Sequence, residues 1–416
     1  MRQQTRPTAI DLFSGAGGLS LGLEQAGFDV AAAVEYDPVH AATHMFNFPQ
    51  TETICADVAQ LSGAEVRSSA RLEGRRIDLV AGGPPCQGFS LIGKRSVGDD
   101  RNSLIFHFER LVVELEPRYF LMENVPGLLV GEQAGLLADL VERFEADGYT
   151  CLAPRLLRAA DFGVPQDRTR MFLVGARAGE RLPDAPTACR MCPTVWDAIG
   201  DLPNLDDYEV LLERDDLRST FGTPSHYAAQ LRGLVDDPKD FGYGRIWDRT
   251  RLTSSTRTVH TPLSVQRFQA TATGDVEPVS RFLRLDPDGL CNTLRAGTDG
   301  KRGAYTSPRP IHPVHPRVIS VREAARLHGF PDWFRLHSTK WHGFRQVGNA
   351  VVPHVARAVA GEIVAASGTR PVRPTVTLPL GDPELLKFTM ARAADFFEVP
   401  RTVVGQRNRA LAGVAR

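Results

Sequence analysis

At 416 residues, with 42% hydrophobic content and 49 basic side chains balanced by 49 acidic ones, the chain has the composition of a soluble globular protein with room for two or three domains. The absence of any run of about 18 apolar residues, and of an apolar core in Met1-Arg2-Gln3-Gln4-Thr5-Arg6-Pro7, argues against a membrane span or a signal peptide and places the expected site of action in the cytoplasm. Six cysteines, at 55, 86, 151, 189, 192 and 291, are too few and too scattered for a disulfide framework.

In chain order, Thr8 to Phe13 reads as a short apolar strand, Ser14 to Gly18 as a glycine loop and Leu19 to Gly27 as a helix with a glycine stop. That is a nucleotide-site plan. A dinucleotide fingerprint would want Gly or Ala three residues after Gly17, and position 20 is Ser, so a cofactor with an adenosine but no pyrophosphate fits better. The next strand, Val30 to Val34, ends at Glu35, where an acid accepts hydrogen bonds from ribose hydroxyls, and Ile54-Cys55-Ala56 runs into Asp57-Val58, placed for an adenine edge.

Ile77 to Ala81 reads as a buried parallel strand stopped by Gly82-Gly83. Two prolines, Pro84 and Pro85, fix two φ angles and present Cys86 on a stiff loop at the carboxyl end of that strand. A lone cysteine is more often a small buried apolar residue, but a Gly-Gly-Pro-Pro loop is poor core material, and Cys86 is read as a nucleophile. Residues 88–101, polar and glycine-punctuated, read equally well as a mobile lid or a surface loop. Leu104 to Leu115 has helical periodicity, and Pro117 to Met122 is a strand that brings Glu123-Asn124-Val125-Pro126 to the same sheet edge as Cys86. A carboxylate there can hold or protonate a substrate nitrogen. Arg168 and Arg170, two apart on an extended segment, point to one face and could grip an oxygen-rich group.

From about residue 177 the strand and helix alternation lapses, and 181–316 is expected to be a second, smaller and irregular domain. Within it Phe241 to Ser320 carries twelve Lys/Arg against six acids, which fits a phosphate-facing surface, while Asp197 to Asp216 carries eight acids and one Arg, read as a solvated face. The lone Cys189-Arg190-Met191-Cys192 lacks the second pair that a zinc site needs. Regular structure resumes with a capped helix starting near Ser320, with Glu323 three residues later, and an apolar helix runs through Ala365. The segment 317–368 rejoins the first domain of residues 1–180, and the tail 369–416, amphipathic from Pro383 to Phe397, carries no functional reading.

Taken together, Asp11 to Gly18, Glu35, Asp57, Gly83 to Ser90, Glu123-Asn124-Val125, Gln166 to Arg170, Arg322 to Pro331 and Gln346 to Val351, in this order, resemble the DNA (cytosine-5) methyltransferase family, over about 1–175 and 317–365. The resemblance implies an α/β fold with a Rossmann-like sheet, helices on both faces and a target-recognition domain in the middle. It implies S-adenosylmethionine as methyl donor, held by Phe13, Gly15, Gly17, Gly18, Leu19, Glu35, Tyr36, Asp57, Val58, Pro84, Asn349 and Ala350. Cys86 would add to carbon 6 of cytosine and make carbon 5 nucleophilic, protonated Glu123 would serve nitrogen 3, and Arg170 with Arg168 would hold oxygen 2. No residue claims the carbon-5 proton, which is left to water. Carbon 6 is stacked in a duplex, so the base must be flipped out. The implied partner is double-stranded DNA met by a monomer, with a restriction endonuclease as a companion in the cell. A branch of the family modifies transfer RNA, usually with a short middle region; roughly 140 residues here favour DNA. A catalytically inactive homologue would be expected to have lost the cysteine, the glutamate or the glycine loop, and all three are intact.

Overall fold

Alternation of buried side chains to two opposite faces builds the central sheet. In the computed structural model, which describes residues 6–85, 104–189, 191–297 and 309–401, every residue of β1 (Thr8–Leu12) is buried. Ala9 enters one apolar core while Ile10 and Leu12 enter the other. Around it the chain runs through α1 (Gly18–Ala26), β2 (Asp29–Glu35), α2 (Pro38–Asn47), β3 (Glu52–Cys55), α3 (Gly63–Ser69), β4 (Leu79–Gly82), α4 (Leu104–Leu115), β5 (Tyr119–Asn124), α5 (Glu132–Ala146), β6 (Tyr149–Cys151), β7 (Arg155–Arg158), β8 (Gln166–Asp167) and β9 (Thr169–Arg177). The sheet order is β3-β2-β1-β4-β5-β9-β6, with β7 also paired to β9. The first five of these strands are parallel, and β9 runs antiparallel to β5, β6 and β7.

Both faces are covered, as expected from the sequence. On one face Phe108, Leu111 and Val112 of α4 pack with Phe120 and Phe144, the last two stacked at 3.9 Å between ring centroids. On the other, Leu19 and Leu23 of α1 pack with Val355, Ala356 and Val359 of the late helix Pro353–Ala366. Strand order reverses between β1 and β4, so the crevice at their carboxyl ends is the place where an open α/β sheet accepts a ligand. The glycine loop leaves β1 there, and Gly83-Pro84-Pro85 leaves β4 there.

The middle of the chain holds short elements, α6 (Val195–Ile199), α7 (His226–Leu231) and α8 (Pro262–Ala270). The return comprises α9 (Val321–Leu327), α10 (Lys340–Asn349) and α11 (Pro353–Ala366), and α12 (Met390–Phe396) lies in the tail. The capping box expected at Ser320 and Glu323 is present. The helix α10, which contains Gln346 to Asn349, was not legible as a helix.

Two charge readings are corrected by the packing. The acidic stretch is a solvated face only in part: Asp207, Glu209 and Glu213 are exposed, but Asp201, Asp215 and Asp216 are buried and meet Arg326, Arg335 and Arg251, and Asp206 meets Arg257 at 2.9 Å. The basic surplus is likewise internal in part, with Arg249, Arg281 and Arg295 left exposed. Arg245 pairs with Glu24, Arg317 with Glu323 and Arg267 with Glu277, and Arg284 donates to the carbonyls of Phe268, Thr271 and Pro313. Burying either charge alone is costly, so the two runs neutralise partners across the fold. Lys301 and Arg302 lie outside the described residues.

Candidate active site

The glycine loop is shaped by positive φ angles at Phe13, Gly15 and Gly17, of 60°, 57° and 107°. A non-glycine residue at φ 60° is strained, and Phe13 holds it at the mouth of the crevice. Glu35 at the end of β2 locks this loop. Its Oε2 accepts from the Gly15 amide at 2.8 Å and its Oε1 from the Asp37 amide at 2.8 Å. Burial pushes the Glu35 carboxyl up to about 7, and the same cause brings Asp11, beneath the loop, to about 7. Leu19 is buried, Tyr36 is exposed, and Asp57 is half-buried, with its Oδ1 accepting from the Ala59 amide at 2.9 Å. Val58 is buried, and Arg110 of α4 fixes the turn by donating to its carbonyl at 2.8 Å and to that of Leu61 at 2.9 Å.

Glycine at 17 and 18 is required by close approach. A Cβ on Gly17 would strike the Phe48 ring, and one on Gly18 would lie 2.5 Å from the Val351 carbonyl and 2.9 Å from the Ala350 Cβ. The end of α10, at Asn349 and its cap Ala350, therefore closes directly on the start of α1, bringing Ala350 against Gly18.

Across the crevice, β4 and β5 run in register, Gly82 opposite Met122, which puts Glu123 beside Gly83. A Cβ on Gly83 would sit 3.2 Å from Glu123 Oε2, so glycine keeps that space open. Glu123 Oε1 meets Arg170 Nε at 3.2 Å, and Arg170 Nη1 donates to the Thr169 carbonyl at 2.8 Å. Burial raises the Glu123 pKa despite the Arg170 charge, and burial lowers that of Arg170, so both partners shift toward their neutral forms. Asn124 donates from Nδ2 to the carbonyl of buried Pro84 at 3.0 Å, tying β5 to the proline loop. Cys86 and residues 88–101, read above as a lid or a surface loop, lie outside the described residues.

Arg168 does not share the geometry of Arg170. It is buried at 2% exposure and donates to the carbonyls of Leu294 at 2.9 Å, Gly348 at 3.0 Å and Ala350 at 3.1 Å. Its Nη donors are thus engaged within the protein, and burial brings its pKa down to about 9. Arg168 and Arg170 do not share one face as expected, because Arg168 sits between β8 and β9, its amide bonded back to the Gln166 carbonyl at 3.0 Å, and the strand begins only at Thr169.

Among the described residues no three His, Cys, Asp or Glu side chains form a group that could hold a metal, and no helix is long and apolar enough to cross a membrane. The model for C-5 cytosine-specific DNA methylases matches residues 8–365. The chain belongs to that family. The methylase is 56% identical to the type II methyltransferase M.XorII of Xanthomonas oryzae pv. oryzae over 97% of this chain and 96% of that one. It is 34% identical to M1.HphI of Haemophilus parahaemolyticus over 86% of each. Among solved structures it superposes, with a TM-score of 0.72 and 36% identity, on a protein assigned as a DNA modification methyltransferase encoded within an Escherichia coli prophage, covering 87% of this chain and 99% of that one. The methylase therefore transfers a methyl group to carbon 5 of cytosine in DNA, and the RNA reading is not favoured.

Several supports of the methylase site were not read from the sequence. His328 Nε2 lies 3.1 Å from the Ala350 carbonyl, and Gln166 Nε2 donates to the Leu327 carbonyl at 3.0 Å. With a pKa held well below its usual value by burial, His328 is neutral and donates through Nε2. Both residues stood in recognised motifs, but only the folded chain brings 166, 328 and 350 together.

Proposed function

We propose that this methylase uses S-adenosylmethionine, whose sulfonium supplies the methyl group, and acts on a flipped cytosine in double-stranded DNA through the thiolate of Cys86. The observation that carries the reading is the Glu123 and Arg170 pair beside Gly83, facing the glycine loop across the switch point of the sheet. The cofactor side fits an adenosine: Gly17 and Gly18 permit close backbone approach, and Glu35 presents acceptor oxygens at the loop. Phe13, Gly15, Leu19, Tyr36, Asp57, Val58, Pro84, Asn349 and Ala350 complete the proposed contact set.

On the base side Cys86 adds to carbon 6, which moves electron density to carbon 5 and negative charge to nitrogen 3 and oxygen 2. Glu123, its pKa raised by burial, donates a proton or hydrogen bond at nitrogen 3. Arg170 holds oxygen 2 through the guanidinium hydrogens that its Glu123 and Thr169 contacts leave available. Arg168 acts one step back, on the end of α10 at Gly348 and Ala350. Water takes the carbon-5 proton and the thiolate leaves. Residues 181–316 are assigned to reading the DNA sequence, and the relatives' designation as type II methyltransferases supports a modification role paired with a restriction endonuclease.

Incubating the protein and Cys86→Ala with labelled S-adenosylmethionine and plasmid DNA tests this directly. The wild type should label cytosine, and the variant should bind the cofactor but transfer nothing; full transfer by Cys86→Ala would overturn the mechanism. Bisulfite sequencing of the same plasmid gives the target word.

A further inference from the structure

Residues outside the family match, at both ends of the chain, converge on one segment of the middle region. Arg6 uses all its donor atoms where that segment meets the sheet domain and the tail. Its Nε meets Asp29 Oδ1 at 2.7 Å, its Nη1 donates to the carbonyls of Phe241 at 2.6 Å and Val372 at 3.0 Å, and its Nη2 donates to those of Glu24 at 2.9 Å and Phe28 at 2.7 Å. One planar fork thus ties the end of α1, the middle region and the tail, a geometry that only a guanidinium supplies. From the tail, Arg373 donates to the Asp240 carbonyl at 2.6 Å and also meets Asp236 and the Asp237 carbonyl. Thr377–Pro379 then adds in parallel to Gly244–Ile246. Further on, Leu385, Leu386 and Phe388 share a core with Val39, Ala42 and Phe46 of α2. The tail is therefore fixed to the cofactor-side helix at one end and grips the middle region at the other.

The gripped segment reaches the glycine loop. Arg245, held in register by Leu378, makes a buried ion pair with Glu24 at 2.9 Å and stacks over Trp333, whose ring packs edge-on against Phe48; the Phe48 ring in turn lies against Gly17.

We propose that Arg6 and tail residues 371–388 form a clasp that sets the position of segment 236–246, and with it the DNA-reading region, relative to the cofactor crevice. Arg6 and Arg373 are positioning residues in this scheme. The inference rests on the assignment of residues 181–316 to DNA reading. Preorganised surfaces bind more tightly because less order is lost on association, so loosening the clasp should weaken DNA capture rather than the chemical step.

The test uses the full chain, with Arg373→Ala, Arg6→Ala and Arg6→Lys compared with wild type. Hydrogen exchange at amides 236–246 should accelerate in Arg373→Ala and Arg6→Ala. The KM for DNA should rise by about 3- to 10-fold, with kcat and the Kd for S-adenosylhomocysteine within about twofold of wild type, and Arg6→Lys should fall between. Unchanged exchange and unchanged KM in Arg373→Ala would overturn the clasp, as would kcat falling in step with thermal stability while KM stays fixed. If exchange accelerates but KM for DNA does not move, the clasp holds the segment without serving recognition, and the proposal fails in that part. A wild-type protein inactive on DNA would instead overturn the functional reading, and the exchange measurement would still judge the clasp.

Discussion

Glu35 lies at the centre of the proposed cofactor side, and its environment makes a measurable demand. Burial first, and the neighbouring Asp37 charge, raise its carboxyl to about 7, while the Gly15 and Asp37 amides and Arg345 oppose the shift. His40 Nδ1 also lies 4.0 Å from its Oε1, and Asp11 is close enough to interact with it. A ribose hydroxyl donates best to the ionised form, so binding weakens as pH falls below the folded-state value. The Kd for S-adenosylhomocysteine should therefore rise by about tenfold between pH 8 and pH 6, and Glu35→Gln should flatten that dependence. A flat wild-type profile by calorimetry would count against the role. Arg168 invites a different experiment. In Arg168→Ala three buried carbonyls lose a charged donor, which should cost about 2–4 kcal/mol of stability and weaken cofactor binding through the loosened end of α10 at 348–350. The denaturation midpoint and S-adenosylhomocysteine titration should move together; loss of activity with both unchanged would return Arg168 to the substrate.

At the scale of elements, α1 and α11 meet along a glycine and alanine seam. A Cβ on Gly22 would strike the Ala356 Cβ and lie 2.6 Å from the Pro353 carbonyl. In an open helix Gly22→Ala would gain about 1 kcal/mol from propensity, but forcing a methyl into a closed seam costs about 1–3 kcal/mol. The overlap is with backbone as well as side chain, so destabilisation should win, and a raised melting temperature for Gly22→Ala would refute the packing. The strands and helices of the sheet were legible because Thr8 to Phe13 and Ile77 to Ala81 are apolar runs stopped by glycine, and Leu104 to Leu115 keeps a helical period. The helix α10 was not, since Lys340-Trp341-His342-Gly343 presents neither a strong propensity nor an apolar stripe. Its first turn is set by tertiary contacts: Gly343 packs on Val321, and Lys340 Nζ donates to the Arg257 carbonyl at 2.8 Å. At the site, the glycine loop, Glu35 and Glu123 could be placed from local pattern alone. The role of Arg168 could not, because its acceptors stand at 294, 348 and 350.

Across the whole molecule, the middle region is tied to the sheet domain by a shared interior. Val195, Ile199, Tyr227 and Leu285 lie in one apolar cluster with Ala324, Phe330 and Val347 of the return segment. At its edge Arg326, fully buried, meets Asp332 at 2.7 Å through Nη2 and Asp201 through Nη1, and Asp201 also accepts from Arg232 at 3.1 Å. Tyr227 closes the junction by donating to the Arg326 carbonyl at 2.8 Å. A polar network in such a place is costly to assemble and more costly to break, since removing one anion leaves cationic groups without solvent. Asp201→Ala should thus destabilise the protein by about 3–5 kcal/mol, whereas Asp184→Ala, which breaks only the exposed Arg181 pair, should change stability by less than about 1 kcal/mol. High salt screens exposed charges and should leave the Asp201 defect in place. Because Asp201 comes from the middle region and Arg326 from the return, the loss should appear as a lower midpoint for the entire unfolding transition seen by calorimetry. A separate early transition confined to 181–316 would mean that the two parts unfold independently and that the shared interior does not couple them.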